Sequence, residues 1–300
     1  MSRSPFADRR GLTLLELIVA LGILAVLSTV AVQALDPLAD QARYETTQRT
    51  LDQLRVATVG DPLARQVDGQ RVVSGYVADM GQLPGTLDDL FTQPVGMIAS
   101  SVQSFDSDRD SVNDVTLTSG WKGPYLQLGA GISSLTDGWG RAPLVDPDAG
   151  DFDFTSYGSD DDSVSPEDGY RADVSVVIPA SHYTTTATFR LFAIDAVTST
   201  RIDPSPSGTQ QLGVLLYGIG VAGGSTGAIE ELMIPVAATG TFEATQSSFV
   251  QGHAAARGIL WDDADSDDVL DAGETIVDAS YVHYFTVTSE TDLRIEMELR

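Results

Sequence analysis

Between Leu12 and Leu35 the chain reads LTLLELIVALGILAVLSTVAVQAL, an apolar run with a single ionisable side chain, Glu16. As a helix rising about 1.5 Å per residue, this run is long enough to cross a hydrocarbon core of roughly 30 Å. A carboxylate inside a bilayer costs about 2.5–3.5 kcal/mol on insertion scales, so Glu16 needs a partner or a purpose. Arg3, Arg9 and Arg10 precede the run, which predicts a cytoplasmic N-terminus and an exported remainder. No later stretch is long and apolar enough to cross again, so the expectation is one anchor and one large external body. A secretory signal peptide cleaved near Val32-Gln33-Ala34 would have a shorter core without a carboxylate. A plain anchor leaves Glu16 unexplained.

The residues Arg9-Arg10-Gly11-Leu12-Thr13-Leu14-Leu15-Glu16 resemble the prepilin processing site of type IV pilins and type II secretion pseudopilins. The resemblance implies that a prepilin peptidase cuts after Gly11 and methylates the new N-terminus at Leu12. It implies further that an inner-membrane assembly platform draws the subunit out of the membrane into a filament of identical or related pilin subunits. Glu16 would then pair with the free amine of Leu12 on a neighbour. Because an unpaired charge in a helical core is heavily penalised, such pairing turns the carboxylate's cost into register. Leu12 stands where many family members have phenylalanine. The first proline, Pro37, lies just beyond the apolar run, which places any kink near the membrane exit.

The formal net charge is −26, and Lys122 is the only lysine. Loss of residues 1–11 removes three arginines and one aspartate, making the mature chain still more acidic. Such a balance argues against nucleic acid as a partner, because phosphates are repelled. It suits a calcium-binding or salt-exposed extracellular surface. The absence of cysteine excludes disulfides, thiolate metal sites and catalytic thiols.

Four regions follow from the pattern, together an α+β chain. Residues 1–11 form the leader. Residues 12–60 form a hydrophobic and then amphipathic helix, with Ala42, Leu51, Leu54 and Ala57/Thr58 near helical spacing. Gly60-Asp61-Pro62 stops it. Residues 61–174 resemble the pseudopilin head: Gly81-Gln82-Leu83-Pro84 precedes a short helix capped by Thr86. Trp121 and Trp139, each in a glycine- and proline-rich turn, read as packing residues. Residues 175–300 form a C-terminal all-β sandwich-like module, heralded by Val174-Ser175-Val176-Val177-Ile178. Thr186–Phe192, Gly213–Tyr217, Tyr281–Val287 and Leu293–Leu299 are its further strands.

Two acidic loops invite calcium, a cation that takes six to eight oxygen ligands. The stretch Ser156–Val174 resembles the calcium loop of major pseudopilins, with Asp160, Glu167 and Asp173 as ligands. The segment Asp263–Glu274 carries Asp263, Asp265, Asp267 and Asp271 at loop positions 1, 3, 5 and 9, and Glu274 at 12. Val269 at position 7 would lend its carbonyl, and Asp268 replaces the usual glycine at position 6. A weaker run, Asp106–Asp110 with Asp114, ends on Leu117 where an acid is needed. Gly218–Gly223 and Gly223–Gly227 spell a dinucleotide fingerprint and a nucleophile elbow, but no helix in a βαβ unit follows. His182, His253 and His283 have no catalytic or zinc spacing, so no enzyme is supported. The expectation is a structural subunit of a pilus-like or secretion-type filament, with a tip adhesin binding a surface or glycan through its β module as the rival.

Overall fold

The computed structural model describes residues 14–65, 72–129, 134–146, 151–163, 169–224, 226–237, 240–267, 269–271, 273–288 and 293–299. Side chains of 30–36 and 151 lie outside that description. A helix, α1 (Leu14–Val59), begins the described chain and runs unbroken through Pro37. Its two halves differ. Large apolar side chains from Leu14 to Leu27 are exposed, Leu14 at 77%. Farther on, Thr47, Thr50, Leu51, Leu54, Ala57 and Thr58 recur every three to four residues and are buried. Ala42, expected on that stripe, is exposed, and packing on the core starts with the half-buried Tyr44. Gly60 closes the helix at φ +80°, its N–H bonded to the Val56 carbonyl, a left-handed stop that glycine adopts without strain.

After a hairpin of β1 (Ser101–Phe105) and β2 (Val115–Ser119), the chain forms a three-stranded antiparallel sheet of β3 (Leu144–Asp146), β4 (Asp151–Ser156) and β5 (Val174–Pro179) in the order β3-β4-β5, and the buried half of α1 rests on it. A short helix, α2 (Tyr76–Met80), completes this core, in which Leu51, Leu54, Tyr76, Met80, Leu90, Phe152, Phe154 and Ile178 pack together. Each such side chain contributes about 1.5–3 kcal/mol on burial. β5, whose residues read in sequence like the C-terminal strands, pairs along its length with β4. Between α2 and β3 the chain makes the 3-10 turn Leu87–Leu90. Its Asp89 carboxylate accepts from the N–H groups of Gly85 and Thr86 and from the Thr86 hydroxyl, so Thr86 stands at the expected start. The β1–β2 hairpin follows this turn.

Beyond Pro179 the regular elements among the described residues are strands, apart from the 3-10 turn Ala180–His182. β6 (Thr184–Ile194) lies between β10 (Glu243–Val250) and β14 (Leu293–Leu299), with β7 (Arg201–Ile202) pairing its end. A second sheet has β11 (Gly252–Asp262) and β8 (Gln210–Ile219) at its centre, flanked by β9 (Ile229–Val236), β12 (Thr275–Ala279) and β13 (His283–Val287). β14 runs parallel to β6; the other pairings are antiparallel. Phe189 and Leu191 from one sheet and Leu212, Val214 and Leu216 from the other share one core, closed by Phe249 and Met297. The chain is therefore a long N-terminal helix followed by a largely β body.

The hairpin ties the two β regions together. Val115, Leu117 and Phe105 pack on the outer face of the larger sheet against Leu215, Tyr217, Ile259 and Trp261. Arg257 of β11, only 13% exposed in its side chain, bonds Asp108, Asp114 and the Ser107 hydroxyl of the hairpin loop. Gln251 donates to the Val59 carbonyl at 2.7 Å, joining the end of α1 to the body. Gly252, where β11 begins, sits against the Ala78 carbonyl of α2. Eleven residues of strand then carry β11 roughly 30 Å away. The loop that begins at Asp263 therefore lies about 30 Å along β11 from the junction with α1 and α2.

Candidate functional site

Glu16 lies in the first turn of α1 and is exposed, among the exposed side chains of Leu14, Leu15, Leu17 and Ile18. Gly11 and Leu12, the residues of the expected cut, lie outside the described residues. An apolar surface that continues along several turns of helix marks a membrane or a protein interface. Described side chains stop at Thr29 and resume at Pro37, and among the described residues no helix is long and apolar enough to cross a membrane.

In the distal loop, carboxylate oxygens of Asp263, Asp265 and Asp267 lie within 4.8 Å of one another. Asp263 is 1% exposed and accepts the Ser266 N–H at 2.6 Å, while Asp267 accepts the Val269 N–H at 2.9 Å. Glu274 spans the loop: one oxygen accepts from the Ala264 N–H and the other from the Asp271 N–H. The negative charge of Asp267, followed by burial and the charges of Asp271, Glu274 and Asp263, raises the Asp265 carboxyl above its ordinary 3.8. The loop thus gathers the acids of positions 1, 3, 5, 9 and 12 into one field, whose repulsion a divalent cation would relieve.

The head loop is arranged differently. Asp160 faces Arg171 at 3.3 Å, Asp161 faces Arg141 at 3.5 Å, and Asp173 is exposed. Glu167 lies outside the described residues. Guanidinium groups supply positive charge here. A third gathering of carboxylates, Asp106, Asp108 and Asp110, is the weak run of the sequence, drawn within 4.8 Å by the hairpin turn. There Asp106 accepts the N–H groups of Asp110 and Ser111, and Arg257 neutralises Asp108 and Asp114. Spacing along the sequence could not reveal Arg257 as their counter-charge, because the contact depends on how β11 packs beneath the hairpin.

Trp121 packs partly buried on the head core, its indole N–H donating to the Asp89 carbonyl. Near Trp139, Gly138 meets α1 directly. Its N–H donates to the Thr47 hydroxyl, and a Cβ there would lie 1.9 Å from the Arg43 carbonyl oxygen. The glycine-rich stretch after β8 leads into β9, a strand, as its lack of a helical pattern requires.

Residues 7–32 match the family model described as the prokaryotic N-terminal methylation motif. The chain thus carries a prepilin-type segment of the type IV pilin and pseudopilin class. That motif implies processing by prepilin peptidase and assembly of pilins into filaments, is typical of membrane-anchored pilins, and belongs to a family that is structural rather than enzymatic. No curated protein matches the chain.

Proposed function

We propose that this protein is a structural subunit of a type IV pilus-like or type II secretion-type filament, cleaved after Gly11 and assembled through α1. The observation that carries the reading is the division of α1. Its first half, inside the matched segment, exposes apolar side chains to whatever surrounds it, while its second half is built into the head core. Before assembly the surroundings are the inner membrane; afterwards they are the helices of neighbouring subunits. Glu16 pairs with the methylated amine of Leu12 on the next subunit, and that bond sets the axial register. The body stands outside the membrane.

Calcium is the second part of the proposal. Asp263, Asp265, Asp267, Asp271, Glu274 and the Val269 carbonyl would hold the ion in the distal loop, where their mutual repulsion favours one. Asp160, Glu167 and Asp173 form the second candidate set, in competition with Arg171. In a chain without cysteine, bound calcium would supply the cross-link that a disulfide supplies elsewhere. The adhesin reading draws on one feature, an acidic loop that β11 carries about 30 Å from the junction with α1.

Intact-mass analysis tests the processing step: membrane protein should begin at methylated Leu12, and a chain beginning at Leu35 would overturn the proposal. Abundance separates the two roles. A structural subunit dominates sheared filaments, whereas an adhesin is scarce in them.

A further inference from the structure

A cleft of about 470 Å³ opens where the β1–β2 hairpin crosses the larger sheet. Thr116 and Thr118 of β2 form one wall, and Tyr284 and Thr286 of β13 with His253 of β11 form the other. Lys122 stands at its end. The Tyr284 hydroxyl accepts the Thr116 N–H at 3.1 Å and donates to the Asp114 carbonyl at 3.0 Å. With its hydroxyl fixed on the hairpin backbone, Tyr284 is nevertheless 54% exposed, so it offers mainly its ring to solvent. An aromatic plate fixed in this way loses little conformational freedom on binding.

The groups around that plate define the ligand class. Thr116, Thr118 and Thr286 can each donate and accept, and the Thr286 hydroxyl bonds His253 Nδ1 at 3.3 Å. Lys122 adds little net charge, because its ammonium sits 2.6 Å from the Asp79 carboxylate. Burial and the nearby Lys122 charge hold the His253 imidazole below its ordinary value, so it is neutral near pH 7. In a chain of net charge −26, a cleft without free positive charge does not select an anion. A neutral molecule with an apolar face and many hydroxyls satisfies both the ring and its surroundings. We propose that the cleft binds a neutral saccharide, its pyranose C–H face stacked on Tyr284 and its hydroxyls bonded to Thr286, His253 and the threonines of β2. The site is independent of the filament reading and of calcium.

Saturation-transfer NMR of the full chain in a sugar-free detergent tests it, with methyl β-galactoside, methyl α-mannoside, methyl β-glucoside and diacetylchitobiose as probes. At least one probe should receive saturation on its ring C–H protons and titrate to a plateau. Tyr284→Ala should weaken that probe at least tenfold, and Thr286→Val, which keeps the packing volume, about threefold. Tyr281→Ala, which alters an exposed tyrosine outside the cleft, should leave it unchanged. If Tyr284→Ala lowers the melting temperature sharply, the Thr286→Val result decides. Absence of transfer to all four probes, equal binding by wild type and Thr286→Val, or loss of binding in Tyr281→Ala would each overturn the proposal.

Discussion

At the scale of single residues, Glu16, Asp265 and Arg257 give the sharpest tests of the proposal and of the fold. Glu16→Leu should leave cleavage after Gly11 intact and abolish filaments, read by intact mass on membranes and by yield after shearing; normal filaments would remove the pairing step. In the distal loop, Asp265 has a raised carboxyl, so its ionised form opposes folding. That penalty is full above the raised value and disappears below 3.8, where both folded and unfolded chains are protonated. Calcium should therefore raise the melting temperature near pH 7, and the gain should fade as pH falls through the carboxylate range. An unchanged melting curve at pH 7 would remove the ion from the account. Arg257 ties three partners of the hairpin loop to β11 while nearly buried, so Arg257→Met should cost about 3 kcal/mol in urea unfolding. The carboxylates of positions 1, 3 and 5 in both aspartate-rich loops could be read from spacing. Their fates could not: one loop lacks an internal cation, and the other receives Arg257 from a strand far along the chain.

At the scale of elements, periodicity revealed what is amphipathic and hid what is buried on both sides. The run Leu293–Leu299 forms β14 without change, and Thr186–Phe192 and Gly213–Tyr217 lie inside β6 and β8. β11 escaped notice because its Gly252-His253-Ala254-Ala255-Ala256 start has neither alternation nor bulk. The strand lies between the sandwich core and the hairpin, and small residues let both layers approach. β9 contains Pro235, which reads as a break; it is an edge strand, where a missing donor is tolerated. α1 runs on through Pro37, as the single helix expected over residues 12–60 requires, although periodicity alone permits two helices there and a proline inside a helix reads as a kink. Gly138 is the element-scale contact most sensitive to change. Gly138→Ala must push the Trp139 turn away from α1, and about 2 kcal/mol of stability should be lost, measured by chemical denaturation.

At the scale of the whole molecule, the head and the C-terminal strands do not behave as beads on a string. The hairpin belongs in sequence to the first and in space to the second, and it buries Val115, Leu117 and Phe105 there. A chain ending near Pro179 should consequently expose that face and aggregate. A monodisperse, folded head from such a truncation would show that the interface is dispensable. The α+β class and the presence of an extra β region were legible from strand texture; the clamp between them was not, because no local pattern records which face of a hairpin will find a partner.

The seam between α1, α2 and β11 has a mechanical consequence. In the proposed filament, tension along α1 would pass into the head core, and from the end of α1 into the C-terminal strands where Gln251 holds Val59 and Gly252 abuts Ala78. From there β8 and β11 lead away side by side, joined by a ladder from Tyr217 opposite Ala255 to Gln210 opposite Asp262. A pull along those strands loads the rungs of the ladder together in shear, whereas a pull across them would open the rungs one after another. Tension directed along β8 and β11 would thus meet the ladder in its stronger direction.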